Sequence, residues 1–422
     1  MSRSGLNTIC VLGLGYIGLP TASLIASRGV QVIGIDVKQS VVDQINRGKI
    51  HIVEPDLEAV TAHAVAQGTL RAATAPQPAD AFVIAVPTPF HNGKADLAFV
   101  EAAGRSIAPV LKKGDLIVLE STSPPGTTEQ LVEQIAALRP DLKVPHVGRT
   151  EACDIHVAYC PERVLPGRVL TELLENDRVI GGITPACSER AIELYRIFCK
   201  GELLQTTART AEMCKLTENA FRDVNIAFAN ELSRVCDKLD INVWEMIRLA
   251  NHHPRVKILQ PGPGVGGHCI AVDPWFIVEA APEEAKLIRM AREVNDAKPF
   301  LVLDKIKAAV ADDKAAGKPV AVALLGLAFK PDVDDLRESP ALHIAEAVAG
   351  WGEGSVIVSE PNIGELPECL RGKPGVRFET DVHRAVADAS VVVMLVNHRP
   401  YTAIKPDELN GKTIIDTRGV WS

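Results

Sequence analysis

The chain opens with a pattern of strand, glycine-rich turn, helix and strand that restricts its fold. Thr8 to Leu12 is an apolar, β-branched run, and it is followed at once by GLGYIGLP, which contains a GxGxxG motif. A helical pattern continues to Ala26, and a second apolar run, Val30 to Ile35, ends in Asp36. This arrangement is typical of the first βαβ unit of a Rossmann fold. It therefore predicts an α/β protein built on a parallel sheet.

The same residues predict a dinucleotide site. In such units the pyrophosphate lies on the helix N-terminus, and the acidic residue accepts hydrogen bonds from the ribose hydroxyls. A negative charge at Asp36 would repel a 2′-phosphate, so NAD is favoured over NADP, although the neighbouring Lys38 weakens that preference. The predicted cofactor contacts within the motif are Gly13, Gly15, Tyr16, Ile17 and Gly18.

Three further apolar runs end in polar or proline-rich loops. Ala81 to Val86 leads into VPTPF, Leu116 to Leu119 into ESTSPPGTT, and His156 to Tyr159 into YCPERVLPG, before another predicted strand at Val179 to Gly182. Ligands of open parallel sheets bind outside the carboxyl ends of the strands. We therefore expect one residue of each loop to lie at the cofactor edge, namely Thr88, Thr122 and Glu162.

Length and composition predict a globular protein of several domains. The 422 residues exceed one ordinary core, and we predict an NAD-binding domain at 1–205, a central helical domain at 206–312 and a second α/β domain at 313–422. The charged fraction of 23% and the hydrophobic fraction of 47% are ordinary for a soluble protein. A net charge of −8 without basic runs argues against nucleic acid and anionic membranes as partners. The absence of a signal-peptide pattern predicts a cytoplasmic protein.

The central part contains two long helical stretches, Thr210 to Asp240 and Glu283 to Val310. Lys215 and Asn219 are four residues apart and so share one face of the first helix. Asparagine is unfavourable inside a helix, so Asn219 indicates a ligand or a partner, although a solvated face would explain the pair equally well. Two such helices between two sheets suggest a spine that carries a dimer interface.

Between these helices, GPGVGGHCIAVD at Gly262 to Asp273 presents one thiol, Cys269. Its four glycines permit positive φ angles and the close approach of a ligand. Asp273 and Pro274 favour a helix start beyond the cysteine, which would bias Cys269 towards the nucleophilic thiolate. The other eight cysteines are interpreted as apolar filling. An odd number of cysteines without a CxxC pair favours reduced thiols over disulfides or a zinc site, so no metal is predicted.

A second α/β series begins at Lys318. The runs PVAVALLGLAF, SVIVSEP, ASVVVMLVNH and TIIDTRGV are typical of buried parallel strands, with a helix at Pro340 to Ala349. The polar loop PDVDDLRESP follows the first strand, where a ligand site at the carboxyl end is expected. Lys330 and Arg337 are the candidate cations for a nucleotide-like ligand there.

Taken together, these motifs resemble the UDP-glucose/GDP-mannose dehydrogenase family over essentially the whole chain. The segments that carry the resemblance are GLGYIGLP, VPTP, ESTSPPG, YCPERVLPG, AEMCKLTENAFRDVNIAFANE, GPGVGGHC and KPDVDDLRESP. The resemblance implies an NAD-binding domain and a UDP-binding domain that flank a helical dimerisation spine. It also implies that one cysteine carries a four-electron oxidation of a sugar C6 alcohol to a carboxylate.

Through this resemblance, Cys269 corresponds to the family's nucleophile. The other implied catalytic residues are Lys215, Asn219, Asp273, Glu162 and Thr122. The implied substrate-binding residues are Glu162, Arg163, Val164, Lys215, Asn219, Arg222, Arg255, Gly266, Lys330 and Arg418. The predicted cofactor set is completed by Thr88, Thr122, Lys330 and Arg337. Arg255 corresponds to an arginine that reaches the neighbouring subunit's sugar site, which implies a homodimer with shared active sites.

The chain departs from the UDP-glucose enzymes at PERVLPG, where those enzymes carry PEFLAEG. An arginine and a proline in place of an aromatic and an acidic residue suit a larger 2-acetamido sugar, with UDP-N-acetylglucosamine and UDP-glucose as alternative substrates. Two other classes stay open. One is a two-electron nucleotide-sugar dehydrogenase or epimerase without a nucleophilic cysteine, and the other is an inactive protein that binds NAD or a UDP-sugar.

Overall fold

The structure is a computed structural model that describes residues 5–91, 94–149, 151–165, 167–267 and 269–421. The chain forms two compact units. The first unit runs up to Glu218 and includes Trp275–Ala281, and the second comprises Asn219–Pro274 and the chain from Pro282 onward. The boundary between them at Glu218 falls inside one long helix. Among the described residues, no helix is both long and apolar enough to cross a bilayer.

An eight-stranded sheet forms the centre of the first unit. The strands of this unit are β1 (Thr8–Leu12), β2 (Gln31–Ile35), β3 (Leu70–Ala73), β4 (Ala81–Ile84), β5 (Phe90–His91), β6 (Lys94–Ala95), β7 (Leu116–Leu119), β8 (His156–Tyr159), β9 (Arg178–Gly182) and β10 (Leu203–Thr207). The order in the large sheet is β10-β9-β8-β7-β4-β1-β2-β3, and β5 pairs separately with β6. Its described strand pairs are parallel except β8 with β9.

Helices cover both faces of this sheet. They are α1 (Gly18–Ser27), α2 (Gln39–Asn46), α3 (Leu57–Ala66), α4 (Ala98–Ile107), α5 (Thr127–Leu138), α6 (Val169–Glu175), α7 (Pro185–Tyr195) and the first part of α8 (Ala208–Leu239), whose later part belongs to the second unit. Alternate residues of β1 point to opposite faces, so Ile9 joins the core under α1 and α3 while Cys10 joins the core under α4 and α5. The prediction of an N-terminal Rossmann-like domain is confirmed.

The parallel pairing brings the polar loops to one edge. Because β1, β4, β7 and β8 are successive parallel neighbours, the loops that follow them leave the same edge of the sheet. The strand predicted at Val179 to Gly182 is present as β9, but it runs antiparallel to β8, with Ala158 opposite Gly182. An apolar run in a sequence carries no signal for direction, so the reversal was not predictable from the run itself.

The second unit contains the remaining strands, β11 (Ala321–Leu325), β12 (Ser355–Ser359), β13 (Val376–Phe378), β14 (Val391–Met394) and β15 (Thr413–Asp416), in the order β13-β12-β11-β14-β15. All these described pairs are parallel. The remaining helices are α9 (Val243–Ala250), α10 (Asp273–Ala280), α11 (Lys286–Ala315), α12 (Pro340–Gly350) and α13 (Val382–Ala387), of which α10 runs from the second unit into segment Trp275–Ala281 of the first.

The second sheet is also covered on both faces, by α11 and α12 on one face and by α13 on the other. The C-terminal Rossmann-like domain and the central helices are therefore confirmed. The short elements β13 and α9 were not predicted, because three to eight residues give too little periodicity. The pair Asp273 and Pro274 predicted a helix with Asp273 as its N-cap and Pro274 as its first residue, whereas in the structure Asp273 is itself the first residue of α10.

Candidate active site

The three glycines of the N-terminal motif have different structural roles. Gly13 has a φ of +89°, and a Cβ atom there would lie 2.5 Å from the Ala85 carbonyl oxygen. A Cβ atom at Gly18 would lie 1.8 Å from the Gly13 oxygen, so this glycine allows α1 to pack closely on the turn. At Gly15, no atom of the described residues lies within 4 Å of the Cβ position. Its backbone is therefore open to a pyrophosphate, beside the exposed Tyr16 and at the start of α1 after Ile17.

Two more residues at this edge fit a dinucleotide. Asp36 lies just beyond β2, and its carboxylate accepts hydrogen bonds from the backbone N–H groups of Leu14 at 3.3 Å and Lys38 at 2.9 Å. These bonds fix the carboxylate beside the glycine turn. Thr88 lies in the loop after β4, and its Oγ1 is buried with no hydrogen-bond partner among the described residues. Such an orphaned polar atom at a ligand edge can be satisfied by a cofactor, so the residues present fit NAD.

The loop that carries Thr122 is anchored by a buried acid that the sequence analysis did not select. The Glu212 carboxylate, on α8, accepts hydrogen bonds from the N–H groups of Gly126 at 2.6 Å and Thr128 at 2.8 Å. Ser121 donates from its hydroxyl to the Val86 carbonyl at 2.7 Å and so joins the loops after β4 and β7. Thr122 is thereby held, partly buried, at the cofactor edge.

Glu162 lies beside a buried polar cluster. Its Oε2 accepts a hydrogen bond from Arg178 Nη2 at 3.2 Å, and both side chains are less than one-tenth exposed. The Arg178 guanidinium stacks 4.9 Å from the ring centroid of Tyr195, whose hydroxyl donates to Glu120 Oε1 at 2.6 Å. Burial raises the pKa of Glu120 to about 7, although the charge of Arg178 opposes the shift. Sequence reasoning missed Arg178, which is the first residue of β9, and Glu120, which opens the ESTSPP segment.

The two residues after Glu162 also contact their own unit. Arg163 Nη1 pairs with Glu218 Oε1 at 2.8 Å, and Nη2 donates to the Asp177 carbonyl. Val164 packs against the hydrophobic core beside α6. The three predicted residues of this loop, Glu162, Arg163 and Val164, thus all contact other parts of the first unit. The predicted Lys215 belongs to the same unit and lies partly buried on α8.

Asn219 has the partner that its position in a helix suggested. Its Nδ2 donates to Asp273 Oδ2 at 2.5 Å, which joins α8 to the start of α10 within the second unit. Asp273 is buried, whereas Cys269 is exposed. The Cys269 carbonyl accepts hydrogen bonds from the N–H groups of Val272 at 3.1 Å and Asp273 at 2.8 Å, so the cysteine lies in the turn that leads into α10. His268 falls outside the described residues.

The glycines of the cysteine loop pack against the protein's own atoms. Gly264 and Gly267 have φ angles of +144° and +85°, as expected for a glycine-rich loop. A Cβ atom at Gly262 would lie 2.6 Å from Arg418 Nη1, and one at Gly266 would lie 2.3 Å from the Glu338 carbonyl oxygen. The glycines therefore allow the loop to seat on the C-terminal α/β part, in addition to any approach by a ligand.

A chain of buried polar side chains supports the same loop. Asn230 Oδ1 accepts a hydrogen bond from the Gly262 N–H at 2.9 Å, and Asn230 Nδ2 donates to Asn295 Oδ1 at 2.8 Å. Asn295 Nδ2 and Arg292 Nη1 both donate to Asp223 Oδ1, at 2.8 Å and 2.7 Å. These residues of α8 and α11 fix where the loop begins. Sequence reasoning missed them, although polar residues in an alanine-rich helix gave the same signal as Asn219.

The predicted cations of the second unit differ in their surroundings. Lys330 Nζ lies 5.4 Å from the Phe329 ring centroid. Arg337 is hydrogen bonded through Nε and Nη2 to the Asp335 carboxylate at 2.8 Å and 2.6 Å, so much of its charge is already offset. Arg418 donates from Nε to the Leu395 carbonyl at 3.2 Å, and burial lowers its pKa to about 10. Arg222 and Arg255 are exposed.

Comparison with known protein families accounts for this arrangement. Residues 7–199 match the NAD binding domain of the UDP-glucose/GDP-mannose dehydrogenase family, residues 209–297 its central domain, and residues 323–422 its UDP binding domain. The chain belongs to this family. NAD is accordingly its cofactor, and the protein is an NAD-dependent nucleotide-sugar dehydrogenase. The resemblance that the motifs indicated is thus confirmed.

Individual relatives narrow the comparison. The chain is 60% identical over 420 residues to a UDP-N-acetyl-D-mannosamine dehydrogenase of Yersinia pestis, with 98% of this chain and 99% of the relative covered. It is also 60% identical over 416 residues to an NDP-N-acetyl-D-galactosaminuronic acid dehydrogenase of Ralstonia nicotianae, covering 98% and 96%. Among solved structures, a UDP-N-acetyl-mannosamine dehydrogenase from Staphylococcus aureus has a TM-score of 0.83 and 43% identity, covering 98% and 95%.

A charge-removing variant tests the assignment of Asp36. Asp36→Ala is expected to lower the preference for NAD over NADP, measured as the ratio of kcat/KM values, by about 10- to 100-fold. The reason is that the substitution removes both the charge-assisted hydrogen bonds from the ribose to the carboxylate and the repulsion of a 2′-phosphate. Asp43→Ala is the matched control, because Asp43 is exposed on α2 and its carboxylate accepts a hydrogen bond from Gln39 of the same helix. Wild-type protein that used both cofactors equally well would contradict the assignment.

Proposed function

We propose that this enzyme oxidises the C6 alcohol of UDP-N-acetyl-D-mannosamine to the carboxylate of UDP-N-acetyl-D-mannosaminuronate, through intermediates bound to Cys269. The observation that carries the proposal is the exposed Cys269 thiol in the turn before α10, where the Asn219–Asp273 hydrogen bond secures the helix start. Relatives at 60% identity include a dehydrogenase of this sugar nucleotide. The product would supply a uronic acid for a surface polysaccharide.

The chemistry divides into two oxidations and one hydrolysis. NAD, when bound, accepts one hydride in each oxidation, so two NAD are consumed for each sugar. The alcohol becomes an aldehyde, and the Cys269 thiolate adds to the aldehyde carbon to form a thiohemiacetal. Its oxidation gives a thioester, and water then displaces the thiolate to release the carboxylate. Because the aldehyde stays covalently bound to Cys269, it does not escape between the two oxidations.

Other residues would assist at defined atoms. The Lys215 ammonium, with the Asn219 amide, would stabilise the negative charge that develops on the C6 oxygen. Asp273 would control the proton of Lys215 or of the attacking water. Glu162 and Thr122 would position the substrate and that water, and the buried contact with Arg178 supports this role by holding Glu162 as an oriented carboxylate.

The choice of sugar rests on sequence likeness. The segments IHIVEPDL, PERVLPG and NHHPRV resemble UDP-N-acetyl-D-mannosamine dehydrogenases in particular. The second candidate is the corresponding N-acetylgalactosamine-type sugar nucleotide, because the Ralstonia relative is equally similar to this chain. Both are 2-acetamido sugars and differ only in ring stereochemistry, which a few loop contacts decide.

Counting NADH per sugar on a substrate panel tests the proposal. With UDP-N-acetylmannosamine we expect two NADH and a uronic acid, and slower reaction with the N-acetylglucosamine, N-acetylgalactosamine and glucose nucleotides and with GDP-mannose. One NADH with accumulating aldehyde would show a two-electron enzyme. Preference for the galactosamine nucleotide would select the second candidate, and no turnover on any of these sugars would indicate a binding protein.

We further propose that α8 forms the interface of a homodimer, as part of a central helical domain at 206–312 between an NAD-binding domain at 1–205 and a UDP-binding domain at 313–422. Phe221, Phe228, Val235 and Leu239 are 71%, 52%, 46% and 61% exposed. At 100° per residue they lie within about 40° of one another, as one apolar stripe. Such a stripe can be buried by the same stripe of a second copy across a two-fold axis.

A charge placed in this stripe should separate the subunits. Phe228→Glu is expected to reduce the molar mass in solution by half, measured by light scattering after gel filtration, because two copies would bury like charges close together. Since Phe228 is half exposed in the single chain, the variant should stay folded. Leu138→Glu is the control, at an exposed apolar position on α5. An unchanged dimer in Phe228→Glu, or a monomeric wild type, would contradict the interface.

Mixed dimers test whether active sites are shared through Arg255. Co-expressed Cys269→Ser and Arg255→Ala chains form a heterodimer in which a shared arrangement leaves one site with both native residues. Activity should then reappear, at up to about half that of a wild-type dimer, although each variant alone is weak. If Arg255 serves its own chain, every site in the heterodimer lacks one residue, and mixing restores nothing.

A further inference from the structure

A cluster of two cysteines and one histidine lies in the first unit away from the dinucleotide site. One ligand atom each from Cys153, His156 and Cys187 lies within 4.8 Å of the others. Cys153 precedes β8, His156 is its first residue, and Cys187 lies in the first turn of α7. The residues are separated by up to thirty-four positions in the sequence, so only the fold brings them together.

The geometry suits a small tetrahedral cation. With Zn–S bonds of about 2.3 Å and Zn–N bonds of about 2.0–2.1 Å, tetrahedral donors are about 3.5–3.8 Å apart. A set already within 4.8 Å needs only small side-chain movements to reach that spacing. Two thiolates and an imidazole favour zinc over magnesium and calcium, which bind mainly oxygen ligands. Water would complete the fourth position.

A second observation points to a ligand at this cluster. The Nδ1 atom of His156 is buried and has no hydrogen-bond partner among the residues that the structure describes. An unsatisfied buried imidazole nitrogen is costly, and a metal ion would satisfy it.

The surroundings are compatible with a bound cation. The Thr184 hydroxyl donates to Cys187 Sγ at 3.2 Å, which would support a thiolate ligand and fix its direction. The Arg190 guanidinium, whose charge acts on His156, pairs with the Glu193 carboxylate at 2.5 Å, so its charge is offset. Lys113 is likewise paired with Asp154 at 3.1 Å.

We propose that Cys153, His156 and Cys187 form a binding site for Zn²⁺, which stabilises the first unit and takes no part in the redox chemistry. His156 begins β8, whereas the loop with Glu162 leaves its other end, about 10 Å away along the strand. The metal site therefore lies at the edge of the sheet opposite the dinucleotide. Binding releases the two thiol protons and joins the chain before β8 to α7.

Cobalt uptake by the intact enzyme tests the site. Full-length protein is reduced, stripped with chelator, and titrated with CoCl₂ without oxygen. The wild type should take up about one Co²⁺ per chain, with visible bands of tetrahedral cobalt and near-ultraviolet thiolate charge-transfer bands, and Zn²⁺ should bleach them. Cys153→Ser and Cys187→Ser should lose these bands, and His156→Ala should weaken Co²⁺ affinity at least about 10-fold.

Two matched variants separate this site from other thiols. Cys199→Ser, at another partly buried cysteine of the same unit, and Cys269→Ser, at the exposed cysteine, should both keep the cobalt bands. NAD binding should persist in Cys153→Ser and Cys187→Ser, which shows that the fold is intact. A measurement that needs no variant is alkylation, in which Zn²⁺ should protect Cys153 and not Cys199. Bands that survive in folded Cys153→Ser, no cobalt uptake by wild type, or a Cys153–Cys187 disulfide in freshly reduced protein would overturn the site.

Discussion

Replacing Cys269 with serine is expected to lower steady-state turnover by at least about 10³-fold while the protein stays folded and still binds NAD. The side chain is exposed, and the substitution changes a single atom, so no core contact is lost. A serine hydroxyl is far less ionised than a thiol at neutral pH and adds to an aldehyde much more slowly. The rate of NADH formation measures the loss directly.

A single-turnover count distinguishes covalent catalysis from a packing role. The wild type should form two NADH per sugar, and Cys269→Ser should form no more than one, because only the first oxidation proceeds without the thiolate. Cys369→Ser is the matched control, since Cys369 is also exposed in the second unit. Iodoacetamide should inactivate the wild type, with protection by the UDP-sugar. If Cys269→Ser turned over at a near-normal rate with two NADH, covalent catalysis at this residue would be excluded.

Lys215→Met is expected to lower kcat by about 10²–10³-fold with a smaller change in KM, as found when one oxyanion-stabilising donor is removed. Methionine keeps the length of the side chain and its apolar contacts but removes the positive charge. Because Lys215 is partly buried on α8, the variant should fold and bind NAD normally. Initial rates over a range of UDP-sugar concentrations separate kcat from KM.

The control for this experiment lies on the same helix. Lys238→Met removes an exposed lysine near the end of α8 and should leave both kinetic constants unchanged. If Lys215→Met instead raised KM and left kcat intact, Lys215 would bind substrate and transition state equally, and its proposed catalytic role would be wrong.

Local patterns in the sequence were sufficient for the architecture. Apolar runs of four to six residues, GxGxxG between strand and helix, and long helical stretches predicted both sheets and the long helices α8 and α11. This was possible because hydrophobic periodicity and turn chemistry act over short distances along the chain. The same signals located Cys269 on a glycine-rich loop before a helix. They could not give the direction of β9, because that direction depends on the path that the chain takes between β8 and β9.

Within the site, the sequence predicted which residue types belong at which loop, but not what they contact. The bond from Arg178 to Glu162 joins the first residue of β9 to the loop after β8, and the hydrogen-bonded series from Asp223 through Asn295 and Asn230 to Gly262 joins three segments. Such contacts depend on the packing of elements that are distant in sequence, and no local pattern encodes them.

The cysteines show most clearly the difference between what the sequence predicts and what only the tertiary structure decides. Counting nine cysteines without a CxxC pair predicted reduced thiols and no metal, because sequence spacing reports only ligands that are neighbours along the chain. By itself, the sequence determined the fold class, the dinucleotide motif and the position of the cysteine proposed as nucleophile, all of which follow from local periodicity and turn residues. Only the tertiary structure placed Cys153 and His156 beside Cys187 and seated the cysteine loop against Arg418, because these contacts form when separate elements pack together.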